Sequence, residues 1–207
     1  CDWSSDVCSS DLMRARLRAD LHDEDAGNQR WSDDTLDRHL ARAVQELSLA
    51  APREATATLH TSADSRELSI ATLGDRVSIE AVEYPAGQYP AAYADFSVWG
   101  DTLTLLINAT PGAGEDVVLR YGALHTLDDD GTSIAERLLD LVATGAAAYA
   151  AIEWASFATN RINVGGDDTW RHYHTWGQER LATFSKGLAK HGRERGLRAR
   201  QIGRAHV

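Results

Sequence analysis

Residues 132–158 read TSIAERLLDLVATGAAAYAAIEWASFA, and their pattern decides the fold. Apolar or small residues recur at Ile134, Leu138, Leu141, Val142, Gly145, Ala148, Tyr149, Ile152 and Ala155, the three-or-four spacing of one helix face. Ser133, with Glu136 three positions later, has the form of a capping box that would satisfy two orphaned N–H groups at the helix start. Between Leu141 and Ile152 the one hydrophilic residue is Thr144. A helix that is apolar all round must be covered on every side, so this segment is expected at the centre of the core. Asp140 and Glu153 bound the run and leave it shorter than the roughly 18 apolar residues of a membrane span, so no membrane partner is expected.

Outward from this helix the pattern changes twice. Residues 13–21 form a short helix with Leu17 and Leu21 on one side. Ser32, with Asp33 and Asp34 behind it, caps an amphipathic helix over 32–49 that carries Leu36, Leu40, Ala43, Val44 and Leu47 and stops before Pro52. From 55 to 127 the period drops to two, with strands predicted at 55–59, 67–70, 77–82, 96–98, 102–107 and 117–124. Gly100-Asp101 is a two-residue hairpin turn, and residues 117–124 would pair next. Prolines 85, 90 and 111 mark loops, and Tyr84, Tyr89 and Tyr93 lie in or beside one of them as a candidate contact surface. Beyond 158, Gly165-Gly166 breaks the chain. A last helix runs from about Thr169 with Trp170, Tyr173, Trp176, Leu181, Phe184 and Leu188 on its apolar side, weakened by Gly177, Gly187 and Gly192. The fold class is α+β: helices at both ends around a long alanine-rich central helix, with a small antiparallel sheet inserted between the N-terminal and central helices.

The two ends read differently. DVCSSDL at 6–12 and IGRAHV at 202–207 are what the two complementary strands of a common short-read sequencing adapter encode, so residues 1–12 and 202–207 are expected to be foreign, flanking one domain over 13–201. Both cysteines, Cys1 and Cys8, fall in the leader, which leaves the rest cysteine-free, without disulfide, thiolate metal site or cysteine nucleophile. No apolar stretch follows Met13 as a signal peptide would, so an intracellular protein is expected.

The chain carries 31 acidic and 21 basic residues, unevenly spread. Lys186, Lys190, Arg193, Arg195, Arg198 and Arg200 oppose only Glu194, a basic tail on an acidic body. That balance disfavours general nucleic-acid binding by the body and leaves it open for the tail, which its glycines and like charges should keep extended and mobile.

Candidate chemistry is sparse. His125 with Asp128, Asp129 and Asp130 has the composition of a metal cluster, but a calcium loop needs glycine at its sixth place and Gly131 falls at the fourth. A solvated acidic turn before a helix N-terminus is the competing reading. His172 and His174, two apart, point to different helix faces and cannot chelate one ion. His22 and His39 have acidic neighbours on polar helix faces and are expected to be hydrated. Gly165-Gly166-Asp167-Asp168 lacks the lysine and hydroxyl of a phosphate loop, and no Gly-x-Ser-x-Gly elbow occurs. No catalytic, cofactor or metal residue is assigned.

The order of the parts carries a resemblance. Trp31-Ser-Asp-x-x-Leu36 leading into Ala43-Val-x-Glu-Leu47, strands with Leu68-Ser-Ile70 and Ile79-x-Ala-Val82, then Val117-x-Leu-x-Tyr121 and the alanine-rich helix over 138–155 resemble head-to-tail adaptor (connector) proteins of tailed bacteriophages. The likeness spans most of residues 13–189, and the segment from Pro85 to Tyr93 departs from it. It implies a non-enzymatic virion structural protein, made in the bacterial cytoplasm, that assembles as a homo-oligomeric ring beneath the portal protein and docks stopper or tail proteins. The tyrosines and the basic tail are the candidate contacts, the latter with portal or packaged DNA. Two other classes remain: a small metal-dependent hydrolase using His125 and Asp128 to Asp130, and a DNA-binding accessory protein acting through the basic tail.

Overall fold

The computed structural model describes residues 9–158 and 168–203, with side chains to residue 194. Among them run α1 (Ser9–Leu21), α2 (Asp33–Ala50), β1 (Arg53–His60), β2 (Glu67–Ser69), β3 (Arg76–Glu83), β4 (Phe96–Trp99), β5 (Thr102–Leu105), β6 (Asp116–Ala123), α3 (Glu136–Ala158) and α4 (Thr169–Gly203). The class is α+β. The chain divides into two compact units, a helical one made of Cys1–Ala51 with His125–Val207 and a β unit, Pro52–Leu124, inserted in it. The expected break at Gly165-Gly166, and Cys1 and Cys8, lie outside the described residues.

In the helical unit α3 is the central element, buried on nearly every side from Val142 to Ala151 by residues of α1, α2 and α4. It has the length and apolar character of a membrane span, but 61% of its apolar window is buried within the protein. It starts at Glu136 and the capping box does not form. The Ser133 hydroxyl is engaged upstream, accepting the Thr126 N–H at 2.9 Å and lying 3.2 Å from His125 Nδ1. α2 does start as its sequence says, with the Ser32 side chain accepting the Thr35 N–H. α1 begins at Ser9, so its first turn comes from residues that read as adapter-derived; there Asp11 pairs with Arg14 at 2.8 Å.

A correction concerns α4. The residues expected to form an extended tail are helical to Gly203, and the glycines that suggested weakness are contact points. A Cβ on Gly177 would lie 2.8 Å from Ile152 Cγ1, one on Gly187 2.4 Å from Leu141 Cδ1, and one on Gly192 3.3 Å from the Ala50 carbonyl oxygen. On α3 itself, a Cβ at Gly145 would meet the Phe184 ring at 2.9 Å. Each glycine costs about 1 kcal/mol of helix propensity. Here that cost is offset because the helices approach closely and bury Phe184 completely.

The junction between α1 and α2 is held by charge. Arg18 donates to Asp23 and to Asp33, both at 2.6 Å, and to the Trp31 carbonyl at 3.1 Å. Asp23, itself buried, accepts the Arg30 N–H at 2.6 Å. The polar segment over 22–30 therefore folds back over a paired, hydrogen-bonded ion pair, the form in which buried charge is tolerated.

The β unit contains two three-stranded sheets where one small sheet was expected, ordered β1-β6-β3 and β2-β5-β4. β6 pairs with β1 and β3, and not with its chain neighbour β5. Inward residues Leu68, Ile70, Val82, Leu103, Leu105, Val117 and Leu119 close the core between them. Gly100 takes φ 58° at the first turn position between Trp99 and Thr102, which suits the tight β4–β5 hairpin.

Candidate interaction surfaces

The tyrosine loop lies in the β unit, and its three rings have different surroundings. Tyr84 donates its hydroxyl to Glu115, and that hydrogen bond pushes the Tyr84 pKa up. Tyr93 is bridged to Glu83. The buried Glu83 in turn accepts the Gly87 N–H at 3.1 Å, so the loop is anchored at its base by backbone and carboxylate. Tyr89 at its tip is fully exposed.

A second strongly exposed aromatic was not singled out from the sequence. Trp99, at the end of β4, is 90% exposed beside half-exposed Val98. Period-two alternation held the signal. With Phe96 on the inward side, Ser97 and Trp99 fall on the solvent side.

On the helical unit, the end of α1 and the first turns of α4 enclose an open cleft of about 360 Å³. Leu21, Tyr173 and Trp176 supply its apolar walls, and Asp20, His172 and Arg180 its polar ones. Arg180 pairs with Asp20 at 2.6 Å and lies 4.5 Å from the centre of the Trp176 ring. Behind the cleft, the Trp154 and Tyr173 rings pack on each other with centroids 4.6 Å apart, and Arg30 lies over both at 5.3 Å from each centroid and donates to the Tyr173 hydroxyl. These rings are thereby held in place. His172 and His174 are both exposed, on different faces as expected.

Of the basic residues, Lys186, Lys190 and Arg193 share one exposed face of α4 at i, i+4 and i+7. Arg195, Arg198 and Arg200 lie on the helical backbone, with their side chains outside the described residues.

His125 and the aspartates do not converge. The His125 N–H donates to Ser48 Oγ at 2.9 Å, and its ring spans Ser133 Oγ and the Ala51 carbonyl oxygen at 3.2 and 3.0 Å. That carbonyl can only accept, so Nε2 carries the proton and Nδ1 accepts from Ser133. Asp128 Oδ1 accepts the N–H groups of Asp130 and Gly131, an Asx turn, and Asp129 accepts from Ser10 at 2.7 Å. Among the described residues no three histidine, cysteine, aspartate or glutamate side chains gather as a metal-binding group.

His39 corrects another expectation, because it is buried. The register of α2 sets it between Leu36 and Leu40 on the covered face, 3.2 Å from Glu153 Oε2 without the geometry of a hydrogen bond. Burial pushes its pKa below the ordinary 6.5, Glu153 works the other way, and Arg38 and Arg42 add to the lowering. Tyr149, under the Arg42 guanidinium at 3.8 Å, is pushed up to about 12 by burial and by its 2.6 Å bond to Glu46.

The chain matches no protein-family model and no curated protein sequence. His125, Asp128 and Asp129 are engaged in hydrogen bonds within the fold, whereas the largest outward-facing aromatics among the described residues are Tyr89 and Trp99.

Proposed function

We propose that the chain is a non-enzymatic head-to-tail adaptor of a tailed bacteriophage, a ring-forming virion protein that sits beneath the portal and docks the stopper or tail. The order of motifs in the sequence supports this reading, and one observation carries it further. Tyr89 and Trp99 expose aromatic surface at loop tips whose bases are rigidly anchored, the arrangement of a contact surface awaiting its partner. The basic face of α4 at Lys186, Lys190 and Arg193 then meets the portal or packaged DNA, and the protein resides in the virion after assembly in the bacterial cytoplasm.

The test is to mix the purified chain with portal rings of the phage that encodes it and examine the product by electron microscopy. A second ring stacked on the portal is expected. Absence of rings both in solution and on the portal, at micromolar concentrations, sinks the reading.

A further inference from the structure

Among the described residues four strands stand at sheet edges, and they are not equally protected. An edge strand offers unpaired N–H and C=O groups to any other strand, so folds blunt their edges with charge, bulges or proline. β1 carries Arg53 and Glu54, β2 is three residues long and starts on Glu67, and β3 breaks register twice and carries Arg76, Glu80 and Glu83. β4, Phe96-Ser97-Val98-Trp99, has no charge, no proline and an unbroken register. The direction of its backbone groups follows from its flanks. Asp95 accepts the Leu106 N–H at 2.8 Å on the β5 side, and Ala94 donates to Val82 at 2.9 Å on the other. By alternation Ser97 and Trp99 face β5, while Phe96 and Val98 turn their N–H and C=O groups away from it. An open groove of about 800 Å³ runs beside them, with Val77, Ser78 and Ile79 of β3 on its other side.

The spacing of these groups makes β4 complementary to itself. With a two-fold axis at Ser97, antiparallel pairing sets Phe96 opposite Val98 of a second copy twice over, so both outward residues of each strand exchange hydrogen bonds. Moving the axis to Phe96 opposes Val98 to Ala94, whose N–H is already given to Val82, and moving it to Val98 opposes Phe96 to Gly100, which turns away at φ 58°. The side chains agree with the same register. On one face Phe96 meets Val98, an aromatic against a β-branched residue. On the other, Ser97 meets its own copy without crowding, and the exposed Trp99 indole comes opposite the exposed Asp95, a donor facing an acceptor.

We propose that β4 is a self-association edge, at which two copies of the chain join their β2-β5-β4 sheets into one six-stranded antiparallel sheet. The contact is isologous and closes at two copies, so it is independent of the ring reading above. Charge does not drive it. The β unit carries ten acidic against four basic residues between Pro52 and Leu124, and Asp101 beside the hairpin is already paired with Arg76 at 2.7 Å. Two acidic units meet across a backbone and apolar contact, so added salt should tighten it.

The experiment sizes the full chain by sedimentation over a range of protein and salt concentrations, with melting checked in dilute protein, where copies are apart. Wild type should dimerise reversibly at micromolar concentration, and more tightly as salt rises. Val98→Pro removes an N–H that faces away from β5, at an edge position where proline is tolerated, and Val98→Lys charges the edge. Each should weaken the dimer about 30-fold, the effect of losing one hydrogen bond in each symmetric half. Register is read by disulfide trapping in a Cys1→Ser, Cys8→Ser background. Ser97→Cys should cross-link to itself, because directly opposed Cβ atoms lie about 4.5–5.5 Å apart, whereas Trp99→Cys should cross-link only when mixed with Asp95→Cys. A chain that stays monomeric at high micromolar concentration overturns the contact. So does a dimer that salt weakens, a Val98→Lys variant that associates as tightly as wild type, or Trp99→Cys trapped with itself as readily as Ser97→Cys.

Discussion

Glycine does opposite work in the two units. In the helical unit Gly145, Gly177 and Gly187 are where neighbouring helices touch, and an added methyl group would strike Phe184, Ile152 or Leu141 inside 3 Å. In the β unit Gly87, Gly100 and Gly114 sit in open space at φ 80°, 58° and 75°, and a methyl group there would meet nothing within 4 Å. One unit uses the missing side chain for volume, the other for backbone freedom. The lesson is that helix packing here is limited by space, whereas strand connection is limited by dihedral angle.

The largest expected effect lies outside both classes and sets the scale for them. Arg18→Met leaves Asp23 buried without its cation and should cost about 3–5 kcal/mol, seen as a lowered denaturation midpoint. A loss below about 1 kcal/mol would show that water reaches this pair.

Next come the glycines themselves, which put the contrast at risk. Gly145→Ala should destabilise by about 1–3 kcal/mol, because the fully buried Phe184 ring has nowhere to retreat. Gly100→Ala should cost about 1–2 kcal/mol by a different route, the left-handed backbone, with no change in packing. Gly74→Ala, at a position with open space and no positive φ, should stabilise by about 0.4–1 kcal/mol through the unfolded chain. If Gly145→Ala behaves like Gly74→Ala, the close approach of α3 and α4 is wrong.

A smaller effect separates the units by pH. His39 has a folded pKa depressed below its unfolded value, mainly by burial, so the unfolded state binds the proton more readily. Its contribution to stability is present above pH 6.5 and is lost as pH falls through that value toward the folded pKa. His39→Leu should flatten the stability profile in that window, measured by chemical denaturation at several pH values. An unchanged slope would assign the dependence to other groups.

The smallest stability effect expected is that of Trp99→Ala, within about 0.5 kcal/mol, since the side chain is solvated. A loss of several degrees in the melting temperature would mean that Trp99 packs within its own unit.

The sequence made the periodic elements legible. α2 and α3 announced their buried faces at i, i+3, i+4 spacing, and the strands announced theirs by alternation. What it concealed was non-local. Ser133 looked like a cap because Glu136 is three residues ahead, but His125 and Thr126 claimed its hydroxyl from behind. Gly187 looked like a helix breaker because the Leu141 side chain it accommodates belongs to another helix. His39 looked solvated because Glu153 is distant in sequence. The cleft was invisible for the same reason, its walls coming from α1 and from residues such as Arg180, 160 positions after Asp20.

The pairing of Arg53 with Ala123 brings together the two ends of the inserted β unit, across one antiparallel rung. The His125 ring, bound to the Ala51 carbonyl at 3.0 Å, staples the two ends of the helical unit at the same junction. To the helices, the whole of Pro52–Leu124 is a long loop whose mouth is already closed, and lengthening such a loop costs only logarithmically in chain entropy. The β unit is therefore a cartridge. Residues added or removed inside it leave the entropy of closing the helical frame almost unchanged.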